Sequence, residues 1–397
     1  MSKITVPFAA WYEERNLTLD FPEEWKVSVH RLQEARSASD QEIKEALLDP
    51  IGSKPLHKIA KGKKNAVIIV DDLTRPTPAH RLLPFLLEDL ERGGIRKDHI
   101  RVVMGIAAHR PLVGVDLVKK LGSEVADTFD VINHNPYENL EYIGDSSRGT
   151  PIHLNGDVFD AEVKIGVGSI VPHPAAGFGG GGKIILPGVV SMETISYNHS
   201  KMQHGGHGVV EENPLRSDIE DVARKSGVDM IVNVVINESR QIVKVFAGDL
   251  VEAHRAGVKF GRTIYNARIA NKADILVANA YPIDSELLQG AKALWAQSTA
   301  TKKDGTVVLV TAASEGLGHH YLVERNRRSR RKGEEEQPSE AERRLIVFSP
   351  NLGPVAVREI FPTAHSLKTW SEVLEELHKH GRKAEVTVLP CASIQCA

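Results

Sequence analysis

Residues 166–199 read GVGSIVPHPAAGFGGGGKIILPGVVSMETISYNH, and this stretch decides how the chain is read. Five glycines fall within six positions (Gly177, Gly179, Gly180, Gly181 and Gly182). Lys183 follows them, with His173 before the run and His199 after it. Glycines at this density oppose a helix or strand interior, because each loses more backbone entropy there than any other residue. They suit a loop whose bare N–H groups wrap an anion such as phosphate. Lys183 adds a compact charge at the loop exit, and an amine that becomes nucleophilic if desolvated. Gly177 to Lys183 also fits the P-loop spacing, but Ile184 stands where a magnesium-binding Ser or Thr is needed. Ile184-Ile185-Leu186-Pro187-Gly188 reads as an apolar run into a turn, so the helix that would hold the phosphate is missing. Apolar residues on both sides also argue against a free glycine linker.

Outward from the loop, strand-like and helix-like segments alternate. Residues 66–70 (AVIIV) form the continuous apolar run of a strand buried on both faces. Asp71-Asp72-Leu73-Thr74-Arg75-Pro76-Thr77-Pro78 follows, and its prolines stop the strand and prepare a helix. The pattern predicts a helix over 79–92, with Pro84 tolerated in its first turns and a stop at Gly93-Gly94. Further strands are predicted at 100–104, 130–133 and 162–167, with a helix around 113–121. Beyond the loop, 230–236 and 242–246 are β-like, and 250–269 is a long helical pattern connecting two domains. A second α/β unit follows, with strands at 274–278, 306–310, 345–348 and 385–389. It also carries a helix holding Gln289, Lys292 and Trp295 with Asp284 as a candidate N-cap, and a last helix at 370–380. The run 324–344, basic then acidic, reads as a solvated loop.

The predicted fold class is therefore α/β: two α/β domains with mainly parallel sheets and the active site in the cleft between them. The first domain is placed at 1–268, the second at 269–390, and a tail at 391–397. In parallel sheets ligands bind beyond the carboxyl ends of strands. Asp72 and Arg75, His109 and His173 each follow a predicted strand, so they are expected to converge on one crevice.

Composition narrows the partners. The 397 residues are 41% hydrophobic and 26% charged, which is ordinary for a chain with sizeable cores. A net charge of -2 gives no electrostatic argument for nucleic acid. No signal-peptide pattern opens the chain, and no apolar run reaches the roughly 18 residues of a membrane span, so a cytoplasmic protein is expected. Cys391 and Cys396 are read as free thiols.

Several side chains carry candidate chemistry. Asp72 and Arg75 sit three apart in a strand-to-helix turn. The arginine fork matches a carboxylate or phosphate, although the pair could equally stiffen a proline turn. His109 and His173 are the general acid/base candidates, because imidazole titrates near neutral pH. His199 is a candidate metal ligand, with His204 and His207 competing for the role. No partner stands at a standard zinc spacing, so most of the ligands would come from elsewhere. Gln289 and Lys292 share a helix face, where they face either a cleft or solvent.

Taken as a set, these pieces resemble the lactate racemase family, whose members interconvert stereoisomers of 2-hydroxy acids. The resemblance rests on residues 71–78 (DDLTRPTP), His109-Arg110, residues 172–183 (PHPAAGFGGGGK), Asn198-His199, and Gln289-x-x-Lys292 after Tyr281-Pro282. It covers about 66–207 well and 274–295 moderately. It implies a nickel-pincer nucleotide, a pyridinium mononucleotide whose sulfur groups and ring carbon grip nickel. Lys183 would join this cofactor covalently, His199 would complete the nickel coordination, and Gly179, Gly180, Gly181 and Gly182 would hold its phosphate. His109 and His173 would act as the acid/base pair. Arg75 and Lys292 would fix the substrate carboxylate, while Asp72, Thr74 and Gln289 would support the cofactor or substrate. The reaction implied is inversion at C2 by reversible hydride transfer to the lysine-linked cofactor, which avoids a carbanion beside a carboxylate.

Two places depart from the family pattern. Pro111-Leu112-Val113-Gly114 stands where a more polar helix start is expected, and neither Trp295 nor Trp370 matches the C-terminal-domain aromatic. These departures bear on which 2-hydroxy acid is the substrate. The implied partners are that small molecule and the cofactor-synthesis proteins, with neither nucleic acid nor membrane. The alternatives are a non-catalytic protein that binds a nucleotide or metal cofactor, and a P-loop-like phosphotransferase.

Overall fold

The computed structural model describes residues 1–321, 343–381 and 383–396. The charged loop expected at 324–344 therefore lies outside the described residues, apart from Arg343 and Arg344. The chain forms two units, Ala35–Thr263 and the combination of Met1–Glu34 with Ile264–Ala397.

In Ala35–Thr263 the sheet has six strands, in the order Ile242–Gly248, Met230–Ile236, Lys164–Ser169, Ala66–Asp71, Ile100–Gly105 and Asp130–Asn133. Four of its five pairings are parallel, and only the Ile242–Gly248 edge runs antiparallel to its neighbour. Val67, Ile68, Ile69 and Val70 are all buried, which explains the unbroken apolar run: both faces of this strand are covered. From Ala66–Asp71 the chain first builds outward through Ile100–Gly105 to Asp130–Asn133. It then returns to lay Lys164–Ser169 on the other side. The order thus reverses between Ala66–Asp71 and Lys164–Ser169, where parallel sheets open their ligand crevice.

Most strands appear where the pattern predicts them. The helix expected over 79–92 instead begins as a 3-10 turn, Ala79–Arg81, and restarts as the α-helix Leu83–Arg92. Pro84 explains the break, since it is tolerated only in a first turn, where no N–H donor is needed. The hairpin Leu140–Asp145/Pro151–Asn155 and the helices Met192–Lys201 and Pro214–Lys225 are additions that the periodicity does not reveal.

The other unit holds a parallel six-stranded sheet in the order His365–Leu367, Arg344–Phe348, Thr301–Val310, Ala273–Asn279, Glu385–Leu389 and Lys26–Val29. The last of these strands corrects the expected boundary at 268. Lys26–Val29 pairs with Glu385–Leu389, placing Val27 opposite Val386. The hairpin Ser2–Phe8/Arg15–Phe21 buries Val6, Phe8, Leu19 and Phe21 in the same core as Val277, Val308 and Val388. Residues 391–397, expected as a tail, are packed as far as described: Cys396 donates its N–H to Tyr265 O at 2.9 Å, and Cys391 and Cys396 are buried free thiols. Asp284 is not an N-cap, because its carboxylate accepts the N–H groups of Ala9 and Ala10 at 2.8 and 3.0 Å. The helix it was to cap is short, Leu287–Gly290, and runs into a 3-10 segment. Among the described residues no helix is long and apolar enough to cross a membrane.

Candidate active site

The chain leaves the strand Ala66–Asp71 directly into the turn that holds Asp72, Thr74 and Arg75. Asp72 is buried, and its Oδ1 accepts the Thr74 N–H at 2.9 Å and the Thr74 hydroxyl at 2.5 Å. Its Oδ2 lies 2.6 Å from His109 Nδ1. Burial works to raise the Asp72 carboxyl, but the His109 imidazole and the Arg75 guanidinium outweigh it and hold the group well below the usual carboxylate range. A carboxylate can only accept, so His109 Nδ1 carries a proton and Nε2 is left as the ring's acceptor. Arg75 donates to Thr74 O at 3.0 Å and Thr74 Oγ1 at 2.9 Å, which fixes the base of its fork.

His109 follows the next strand, Ile100–Gly105. Ala107 makes the turn between them with φ of 53°, a left-handed value that non-glycine residues rarely adopt. Its N–H donates to Gly188 O at 3.0 Å, which ties the His109 turn to the far end of the glycine segment.

The glycine run is a packed turn. Arg216, fully buried on the helix Pro214–Lys225, donates to Ala176 O at 3.2 Å, to Gly180 O at 3.1 Å and to Phe178 O. His254 Nε2 donates to Gly179 O at 2.8 Å, and Asn233 Oδ1 accepts the Gly181 N–H at 2.7 Å. A Cβ on Gly182 would lie 3.0 Å from Ile219 O, and one on Gly181, at φ of 60°, would press on the His254 ring. Three of the run's N–H groups are committed to protein acceptors: Gly179 to Val171 O, Gly181 to Asn233, and Lys183 to Gly180 O. The loop ends in a four-residue 3-10 turn, Gly181–Ile184. No helix of P-loop type follows, as the apolar run after Lys183 predicts.

That turn delivers Lys183 into a cavity at the sheet's switch point. Asp71, Asp72, Arg75, Ala107, His109, Gly179, Gly180, Lys183 and Asn233 are among its lining residues. Among the described residues Lys183 has no ion-pair or hydrogen-bond partner for its amine. Burial, then the charges of Arg216 and Arg75, push its pKa well below that of an ordinary lysine. An amine whose pKa is lowered in this way gains nucleophilic character.

His199 lies in the last turn of the helix Met192–Lys201, where Nδ1 donates to Ile195 O at 3.0 Å. Burial, then the Lys183 charge, lowers its pKa to about 4. The neutral ring thus keeps its lone pair on Nε2, the arrangement of a metal-ligating histidine whose other nitrogen is anchored. No group of three or more His, Cys, Asp or Glu side chains able to hold a metal occurs among the described residues. His199 therefore fits a metal whose other donors arrive with a cofactor, and Lys183 fits the attachment point of that cofactor. His207, one of the competing ligands, is a strand partner of Gly177 and also has its pKa lowered to about 4, by burial.

The structure thus gathers Asp72, Arg75, His109, Gly179, Gly180 and Lys183 in one cavity. Gly181 and Gly182 turn into the packing beneath it. His173 stands on the two-residue strand Pro172–His173, where Nδ1 accepts the N–H groups of Ala175 and Ala176 at 3.2 Å each. The expected convergence thus holds for Asp72, Arg75 and His109, while His173 and His199 lie outside the cavity lining. Gln289 and Lys292 belong to the other unit, where Lys292 Nζ donates to Gln289 Oε1 at 2.5 Å.

Sequence reading missed Arg216, Asn233, His254 and Lys120. The first three hold backbone atoms of the loop and carry no motif. Lys120 is buried, with Nζ 2.6 Å from Asp71 Oδ1. Burial pushes the Asp71 carboxyl up and the Lys120 ammonium down, and their pairing opposes both shifts.

Residues 12–209 match the model of the lactate racemase N-terminal domain. The chain is 32% identical to the lactate racemase of Thermoanaerobacterium thermosaccharolyticum over 330 residues, 80% of this chain and 76% of that protein. It is also 32% identical to the lactate racemase of Lactiplantibacillus plantarum, over 79% of this chain and 77% of that one. Among solved structures, the lactate racemase apoprotein from T. thermosaccharolyticum superposes with a TM-score of 0.80 at 26% identity, covering 100% of this chain and 99% of that one. A Thermotoga maritima protein shares the fold with a TM-score of 0.67 at 16% identity, over 91% of this chain and 98% of that one. The sequence match over most of both chains and the superposition agree, and the chain belongs to the lactate racemase family.

Proposed function

We propose that this protein is a racemase that inverts C2 of lactate or a related 2-hydroxy acid, using a nickel-pincer nucleotide attached to Lys183. The observation that carries the reading is the cavity itself, which holds a buried amine with no counter-ion among the described residues, beside a carboxylate–imidazole pair. When bound, the cofactor supplies the hydride acceptor that this chemistry needs.

The protein's own groups do the rest. Arg75 offers a planar fork to the substrate carboxylate. His109, its Nδ1–H held by Asp72, presents Nε2 to the substrate hydroxyl and takes its proton, and the Asp72 carboxylate steadies the imidazolium that forms. Formation of the opposite enantiomer then needs a proton from a second group on the other face. His173 is proposed as the second acid/base group, serving the opposite face of the substrate. With Nδ1 accepting two backbone N–H groups, its neutral ring holds the proton on Nε2. To accept a proton it must turn away from those two groups. His199 supplies Nε2 to the metal. The assignment of Lys292 to the substrate carboxylate, and of Gln289 to the support of cofactor or substrate, rests on the family resemblance.

The test is intact-mass analysis of the chain expressed with the cofactor-synthesis proteins, paired with a polarimetric assay on single enantiomers of lactate and longer 2-hydroxy acids. An adduct mapped to Lys183 together with loss of enantiomeric excess supports the reading. An unmodified chain that still racemises refutes the covalent role. A loaded chain that leaves every enantiomer unchanged favours a non-catalytic cofactor-binding protein.

A further inference from the structure

The helix Gly114–Leu121 exposes two of its valines and buries two of its charged side chains. Val115 and Val118 are 67% and 42% exposed, while Asp116 is 3% and Lys120 0% exposed. Asp116 is taken up by Arg110 at 2.8 Å. Lys120 reaches the neighbouring turn, where its Nζ lies 2.6 Å from Asp71 Oδ1, 2.9 Å from Asp72 O and 3.1 Å from Arg75 O.

These three acceptors bracket the turn that presents Asp72 to His109 and Arg75 to the cavity. The turn needs an external anchor. Pro76 and Pro78 offer no N–H, so no strand or helix ladder can hold it. Within it, the Arg75 N–H reaches Asp72 O at 3.2 Å. An apolar side chain would fill the same volume without the cost of burying an ammonium, a cost that falls only when the cation is paired and hydrogen-bonded. What the cation supplies is position, since one nitrogen fixes the start, middle and end of the segment 71–75. The same helix begins five residues after His109. Both halves of the Asp72–His109 pair are therefore referred to one short piece of chain.

We propose that Lys120 is a positioning residue, holding Asp72 against His109 and Arg75 toward the cavity by clamping the turn from Asp71 to Arg75. The kinetic part rests on the racemase reading; the structural part does not.

The test uses the full chain as Lys120→Met, with Lys120→Arg as the charge-retaining variant. In the cofactor-free protein, amide exchange of the segment 72–78 is expected to accelerate about tenfold or more in Lys120→Met, while strand 66–71 keeps its protection. Lys120→Arg should restore part of it. In the loaded enzyme, with the Lys183 adduct confirmed by mass, kcat/KM for lactate should fall about 100-fold through both a higher KM and a lower kcat. On an Arg75→Lys background the same change should cost less than about tenfold, because the two residues act through one turn. Unchanged exchange, or fully additive effects, would overturn the proposal. Should Lys120→Met not fold, Asp71→Ala keeps the cation and removes one acceptor, and the same exchange measurement decides. Should the wild type prove inactive on every 2-hydroxy acid, the racemase reading fails while the exchange result still judges Lys120.

Discussion

Lys183 shows what one residue gains from its surroundings. Nothing in its identity distinguishes it from the chain's other lysines, yet burial, then the charges of Arg216 and Arg75, push its pKa well below that of an ordinary lysine. Removing a like charge raises an amine's pKa, so Arg216→Gln should reduce the neutral fraction. We expect selective acylation of Lys183 by an amine-directed reagent in the wild-type apoprotein at pH 7, and at least about tenfold slower labelling in Arg216→Gln. Peptide mass spectrometry at several pH values checks this. Asp72 is the corresponding case among the acids. Held ionised by His109 and Arg75, it fixes the imidazole with its proton on Nδ1. Asp72→Asn should lower kcat of the loaded enzyme about 10²–10⁴-fold while the Lys183 adduct still forms.

The glycine run behaves as an element rather than as separate residues. Its density was legible in the sequence, and so was the absence of a P-loop helix. The reading of a phosphate wrap did not foresee how closely helix Pro214–Lys225 approaches. Gly182→Ala would drive a Cβ against Ile219 O and Ala223 Cβ at 3.0 Å, and should destabilise the protein by about 1–3 kcal/mol. Gly114→Ala meets nothing within 4 Å at the start of a helix and should be neutral, or stabilising by up to about 1 kcal/mol. Urea midpoints of the two variants make the comparison. The helix Gly114–Leu121 teaches the complementary lesson. A periodic pattern can turn Leu121 inward, but whether Lys120 is buried beside it depends on what lies opposite, here a carboxylate and two carbonyls.

At the scale of the molecule, the first 34 residues belong with the last 134. Val6, Phe8, Leu19, Phe21 and Trp25 are buried in that unit's core. At about 1.5–3 kcal/mol each they rival the whole stability of a domain, about 5–15 kcal/mol. A chain lacking residues 1–34 should therefore fail to fold Ile264–Ala397, and circular dichroism and thermal melts of fragments with and without this segment would show it. Acid stability is a second property of the whole. His134 is buried, with Nε2 donating to Val190 O at 3.0 Å, and burial lowers its pKa to about 4. The folded protein resists protonating this ring, whereas the unfolded chain protonates near pH 6.5. Its contribution to stability is complete above that pH and is lost as pH falls toward 4. The melting temperature should drop over this window, and less steeply in His134→Gln.

The sequence by itself determined the parallel α/β plan, the strand ends that carry Asp72 and His109, and the membership that the linear motifs announce. These follow from local rules: buried runs read as strands, and prolines and glycines mark where chain direction changes. Only the tertiary structure decided that residues 1–34 pair with the C-terminal unit, that Lys120 and Arg216 reach the backbone of the site's loops, and that Lys183 is buried with no counter-ion among the described residues. Each of these depends on which distant group comes to lie opposite, and burial, charge and hydrogen bonding act through space rather than along the chain.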